Sequence, residues 1–307
     1  MSDVNPYVNK VLRLEMGNDI LSIDRFDMNN LCFTDNSEEN YLKIVTIGKS
    51  GSGKSWIIRD IMYNLRDVPC GLVIAPTDKM SKFYDEFVPS VYIHYDVDSV
   101  IIRKLLNRQM SVFEKNDERI KKGKKPIDPR SFLIMDDCQA TKASWIKEDE
   151  INEVFFQGRH YKLHPFIMAL QYSMGIGPEL RTNIDYVFLL GEDFISNKRR
   201  LFEHYAGMFP TFDLFNQIFD QVTNDYGCLV INNKLRTNDI RKKVFWYKAV
   251  KRGNFKVGEK EFIKFNSETY DPDYSKKKYQ ESFVDSYLAK RNKNRPVIQV
   301  YKNNDQP

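Results

Sequence analysis

Residues 43–65 read KIVTI, then GKSGSGKS, then WIIRDIMYNL. The central octet is Gly48, Lys49, Ser50, Gly51, Ser52, Gly53, Lys54 and Ser55, and it fits the spacing G-x-x-x-x-G-K-[ST]. The chemistry explains each letter. Glycines let the backbone turn tightly and bring its N–H groups onto phosphate oxygens. The following helix adds its positive N-terminal end. Lys54 supplies a point charge for the β- and γ-phosphates, and the Ser55 hydroxyl ligates Mg2+. An apolar strand enters the loop and an apolar helix leaves it, which argues against a merely flexible Gly/Ser linker. ATP and Mg2+ are the expected cofactors.

A phosphate loop needs a second element that holds the metal and activates water. Ser131–Asp137, SFLIMDD, has that form. Its apolar residues bury a strand, and two carboxylates emerge at the C-terminal end, the edge where open α/β sheets bind ligands. Asp136 is the expected Mg2+ ligand beside Ser55, and Asp137 is placed to polarise the attacking water. Alone, an apolar run ending in Asp-Asp is often a strand entering a turn. Downstream of a phosphate loop it carries much more weight.

Gly71–Ala75 (GLVIA), Pro165–Leu170 (PFIMAL) and Tyr186–Leu190 (YVFLL) are further short apolar runs. Continuous rather than alternating, they read as strands buried on both faces. Helical spacing fills Ser55–Leu65, Ser99–Ile120 and Ile146–Tyr161. The alternation predicts an α/β P-loop NTPase with a mainly parallel central sheet flanked by helices. GLVIA supplies an extra strand between the Walker A strand (KIVTI) and the Walker B strand (SFLIM). Helices are also expected at Asn197–Ala206 and Phe212–Val222, and strands at Cys228–Ile231 and Val244–Tyr247. Lys115–Arg130 (KNDERIKKGKKPIDPR) reads as a frayed helix end plus an exposed basic loop. The chain has no N-K-x-D base-reading motif of GTPases and no LSGGQ signature of transporter ATPases.

Gln171 lies just past PFIMAL, where a polar side chain could sense the γ-phosphate or orient water; the alternative is that it caps a strand end. Arg159, in GRHY, and Arg181, in PELRTN, are candidates for stabilising charge on the transferring phosphoryl group. The alternative for each is a surface ion pair. His160 and His164 are four apart and could share a helix face, but no third metal ligand accompanies them. Phe202–Phe219 reads as core or subunit interface, and Cys138 as a small packing residue.

Composition sets outer bounds. With 42% apolar and 29% charged residues in 307, the chain has the make-up of a globular protein rather than a disordered one. No apolar stretch approaches the ~18 residues of a membrane span. The opening MSDVNPYVNK has no apolar signal core. Cys32, Cys70, Cys138 and Cys228 are scattered without a C-x-x-C pair, which fits a reducing compartment. Residues 251–307 carry thirteen Lys and Arg against eight Asp and Glu, whereas residues 1–250 carry 34 of each sign. The whole net charge of +5 thus sits in the last 57 residues, which suggests contact with a polyanion or a solubilising tail.

The order GKSGSGKS, LVIAPT, FLIMDDC, FFQGRHYKLHPFIMALQY, PELRTNIDYVFLL resembles the genome-packaging ATPases of nucleocytoplasmic large DNA viruses, the poxvirus type within the FtsK–HerA branch of P-loop motors. The resemblance covers about residues 40–195. It implies a homo-oligomeric ring that hydrolyses ATP at subunit boundaries and drives double-stranded DNA into a capsid. Lys54 and Ser55 would bind nucleotide and Mg2+, Asp136 the metal, Asp137 would be the catalytic carboxylate and Gln171 the sensor. Arg159 and Arg181 become candidate fingers acting in trans. One departure is Asp137, where many motors of this branch use Glu. Capsid or portal components are implied partners, and the host cytoplasm, or the virion, is the implied location. The domain reading is a lead-in over 1–40, a P-loop ATPase domain over 41–250 and a basic, partly flexible tail over 251–307. The alternatives are a helicase or DNA-processing motor of the same branch, or an ATP-switched assembly protein that moves no DNA.

Overall fold

The computed structural model describes residues 12–16, 19–34, 40–138, 148–237, 239–271 and 273. The chain divides into a large compact unit, residues 1–266, and a small C-terminal one, residues 267–307. Most of the basic tail expected from the sequence lies outside the described residues.

The first described elements are two antiparallel strands, β1 (Leu12–Met16) and β2 (Asp19–Ile23). Then come β3 (Lys43–Ile47), α1 (Lys54–Asn64), β4 (Gly71–Ile74), β5 (Ile93–His94), α2 (Ser99–Lys121) and β6 (Ser131–Asp136). They are followed by α3 (Asp149–Gln157), β7 (Leu163–Leu170), α4 (Pro178–Arg181), β8 (Tyr186–Leu190), α5 (Ile195–Tyr205) and α6 (Phe212–Val222). The last elements are β9 (Gly227–Asn232), α7 (Ile240–Lys243), β10 (Val244–Lys248) and α8 (Lys260–Thr269).

Eight strands form one sheet in the order β10-β9-β8-β3-β7-β6-β4-β5. The run from β8 to β5 is parallel throughout, and β9 is antiparallel to both its neighbours. In sequence β4 and β5 intervene between β3 and β6; in space the strand that separates them is β7. Cys228–Ile231 and Val244–Tyr247 extend the sheet as the sequence suggests. Arg25 bridges Trp246, and Phe26 N–H donates to the Trp246 carbonyl at 2.8 Å, so part of the lead-in covers the outer edge of β10.

The apolar runs are continuous because both faces of each strand are buried. Leu133 and Met135 of β6 face one core with Phe166 and Met168 of β7, while Phe132 and Ile134 face a second core with Ile57 and Ile61 of α1. The same alternation runs through β8, with Val187 and Leu189 on one side and Phe188 and Leu190 on the other. Full burial of each such side chain contributes about 1.5–3 kcal/mol. Phe209, Phe215 and Phe219 are buried among them, so the 202–219 aromatic cluster is core.

Two segments depart from the sequence reading. The basic stretch after residue 115 is not a frayed end. α2 runs unbroken to Lys121, and the loop behind it folds back along the helix. Asn116 donates to the Ile127 carbonyl at 2.9 Å and accepts from Ile127 N–H at 2.7 Å, and Arg119 donates to the Lys125 carbonyl at 2.8 Å. Nor do the two histidines share a helix. α3 ends at Gln157, and His164 sits on β7, fully buried. The residues after 250 begin within the compact unit: Val257 N–H donates to the Phe87 carbonyl at 2.9 Å, and Val257 and Phe262 are buried.

Candidate active site

The parallel strands β3, β6 and β7 carry their C-terminal ends to one edge, and the chemistry gathers there. β3 delivers Gly48, whose N–H donates to the Leu170 carbonyl at 3.1 Å. A Cβ on Gly48 would lie 2.6 Å from Ser52 Oγ and 2.8 Å from Leu190 Cβ, so only glycine lets the loop close. Gly51 and Gly53 have φ of +76° and +101°, the left-handed region that side chains avoid. Lys54 Nζ donates to the Gly48 carbonyl at 2.7 Å and to the Lys49 carbonyl at 3.1 Å, which wraps the loop around the ammonium group. Burial pulls the Lys54 pKa below its ordinary value, while Asp136 and Asp137 oppose that shift. Ser52 Oγ is buried with no hydrogen-bond partner among the described residues, as a loop built to meet phosphate oxygens would leave it.

β6 delivers the carboxylates. Ser55 Oγ donates to Asp136 Oδ2 at 3.0 Å, which joins residues 81 apart in sequence. A hydroxyl and a carboxylate held together on a phosphate loop are the hard oxygen donors that suit Mg2+. Asp136 is almost wholly buried, and burial raises its pKa; hydrogen bonds from Tyr84 and Ser55 and the charge of Lys54 pull the other way. Asp137 has φ of +54°, so the chain swings as the strand ends. Gln171, at the end of β7, donates Nε2–H to Asp137 Oδ1 at 2.7 Å. The phosphate loop, both acids and Gln171 line one open cleft of about 740 Å3.

Sequence reasoning missed Tyr84. Its hydroxyl donates to Asp136 Oδ2 at 2.7 Å from a fully buried position. Asp78 fixes the turn that carries it, accepting from Phe83 N–H at 2.8 Å and Tyr84 N–H at 3.1 Å. The only signal available was position, because this loop follows the C-terminal end of β4. Tyr226, Trp56, Lys248 and Lys251 line the same cleft and were missed too.

The two arginines are elsewhere. Arg159 pairs with Asp185, whose other oxygen accepts from Lys43 N–H at 2.8 Å. Lys43 begins β3, so this ion pair sits at the opposite edge of the sheet from the phosphate loop. The Arg181 guanidinium lies 5.7 Å from the Tyr205 ring centroid. Neither lines the cleft of its own chain. Lys49 turns aside to pair with Asp193. Cys138 Sγ packs 3.6 Å from the Ile74 carbonyl, buried as expected of a packing residue.

No family model matches the chain. The uncharacterized protein L437 of Acanthamoeba polyphaga mimivirus is 44% identical over 237 residues, 77% of this chain and 82% of that protein. Protein 088R of Invertebrate iridescent virus 3 is 36% identical over 75% of this chain and 83% of its own length. Among solved structures, the genome packaging NTPase B204 of Sulfolobus turreted icosahedral virus 2 in complex with AMPPCP matches 68% of this chain and 98% of that one, at 15% identity and a TM-score of 0.45. No helix among the described residues is long and apolar enough to cross a membrane.

Proposed function

The chain belongs to the genome-packaging ATPase family of nucleocytoplasmic large DNA viruses, and on that footing we propose that it hydrolyses ATP to drive double-stranded DNA into a capsid. The observation that carries the chemical half is the pairing of Ser55 with Asp136 and of Gln171 with Asp137 at the mouth of one phosphate loop. The loop amides and Lys54 bind the β- and γ-phosphates. Ser55 and Asp136 would hold Mg2+, which would supply charge neutralisation at the phosphates. Asp137 accepts the proton of the attacking water, and Gln171 orients both the carboxylate and the water. Asp137 is one methylene shorter than Glu, and the hydrogen bond from Gln171 fixes its position. An arginine from a neighbouring subunit completes the charge stabilisation.

The mechanical half rests on family membership and on charge. The exposed end of α2 and its pinned loop present Lys121, Lys122, Lys124 and Lys125 on a braced arm, which suits contact with duplex phosphates. The viral relatives support a place of action in the infected cell, at sites of virion assembly.

Asp137→Asn tests the chemical half. ATP affinity should stay within about threefold, while turnover falls by on the order of 10²–10⁴, the worth of a general base. Equal turnover in variant and wild type would remove Asp137 from the mechanism.

A further inference from the structure

The phosphate end of the cleft is accounted for; its far wall is not. Tyr226 closes a turn between α6 and β9, and its side chain stands 66% exposed. The backbone there is held in an unfavourable region. Asp225 has φ of +52° and Tyr226 of +60°, two successive left-handed residues, neither of them glycine. Bulky side chains avoid that conformation. Gly227 follows with no room for a side chain, since a Cβ would lie 2.0 Å from the Val222 carbonyl. Asp225 pairs with Lys248 of β10, which ties the turn to the neighbouring strand.

An exposed ring contributes little to the core, so packing does not repay this strain. Strained backbone that holds a side chain outward is characteristic of ligand sites. The ring edge lies 3.8 Å from the position a Cβ on Gly53 would take, so it stands over the end of the phosphate loop. Trp56, on the first turn of α1, is 44% exposed and lines the same cleft, steadied edge-on by Phe83 at 5.5 Å. A nucleotide whose phosphates lie along Gly51–Ser55 must extend its base past the start of α1. The residues that line the cleft include Tyr226, Trp56, Lys248 and Lys251.

We propose that Tyr226 is the stacking platform for the base of the bound nucleotide, with Trp56 as the second aromatic wall. The proposal rests on the nucleotide reading of the phosphate loop and adds the subsite that tells a nucleotide from a bare polyphosphate. A π-face accepts any base, and larger rings gain more contact, so the subsite favours purines over pyrimidines without reading base edges.

The test compares two ligands on the full chain, both with Mg2+: a non-hydrolysable ATP analogue and inorganic tripolyphosphate. In Tyr226→Ala the analogue's Kd should rise about ten- to hundredfold, as loss of one base–aromatic stack does, while tripolyphosphate binds as it does to wild type. Tyr226→Trp keeps a stacking face; it should bind the analogue within about threefold of wild type, and its added fluorescence should be quenched by the analogue and not by tripolyphosphate. Unchanged analogue affinity in Tyr226→Ala would overturn the proposal. So would parallel weakening of both ligands, which would make Tyr226 a support of the loop. Failure of wild type to bind tripolyphosphate would instead sink the phosphate-loop reading, and the base platform with it.

Discussion

Asp136 is held in a conflict between burial and charge. Burial raises its carboxyl pKa above the ordinary 3.8, and Tyr84 and Ser55 offset only part of that. In the pH window just above 3.8 the folded chain keeps a proton that the unfolded chain has released. Stability of the ligand-free protein from this group therefore falls as pH rises through the window, and stays lost at neutral pH. A bound divalent cation reverses the balance by favouring the carboxylate. Asp136→Asn should accordingly melt at or above wild type at neutral pH without ligand, yet lose the rise in Tm expected of wild type with Mg2+ and nucleotide. A variant that melts well below wild type, or keeps the full Mg2+ effect, would contradict this. The loop octet and the Asp-Asp pair were legible because their meaning lies in short spacings along the chain. Tyr84 was not, because its contact with Asp136 spans 52 residues and a tyrosine in a polar loop has no pattern of its own.

The strands were legible from their apolar runs, since burial on both faces leaves no alternation to mislead. Their order in the sheet was not, because run length says nothing of neighbours; that β7 separates β3 from β6 appears only in three dimensions. The braced loop behind α2 escaped for a related reason. Its Lys and Gly content reads as solvated, and the pair of hydrogen bonds to Asn116 leaves no trace in composition. His164, at the start of β7, gives the element a pH response. It packs 5.4 Å from the Phe33 ring and accepts from Leu42 N–H at 3.4 Å, and burial lowers its pKa from 6.5 to about 3. A depressed histidine contributes stability that is fully present above 6.5 and is lost as pH falls toward 3. Each pH unit in that window removes at most about 1.4 kcal/mol from this one group. Denaturant titrations at pH 7 and pH 5 should show wild type losing up to about 2 kcal/mol more than His164→Phe. Equal losses in the two proteins would place the acid sensitivity elsewhere.

Across the whole chain, neither candidate arginine reaches the cleft. Arg159 is committed to Asp185 at the far edge of the sheet and Arg181 to the side of Tyr205, so neither serves its own phosphate loop. In the proposed ring of copies, such a guanidinium would reach a neighbour's nucleotide. Arg159→Ala and Arg181→Ala can each be mixed with Lys54→Ala protein, which lacks its own nucleotide site. Recovered turnover in one mixture identifies the arginine that acts across the boundary; no recovery in either would remove both from that role. The family was legible from motif order alone, because each motif marks the end of one strand of the same sheet. A role in DNA contact for the loop behind α2 was not legible, since a basic loop reads alike whether it is solvated or bound. Steady-state hydrolysis with and without long double-stranded DNA, at low and moderate salt, tests directly whether ATP chemistry is coupled to DNA. Coupling to DNA predicts strong stimulation by duplex that fades steeply as salt rises, as contacts to backbone phosphates do. Clear hydrolysis indifferent to duplex at both salt levels would contradict it.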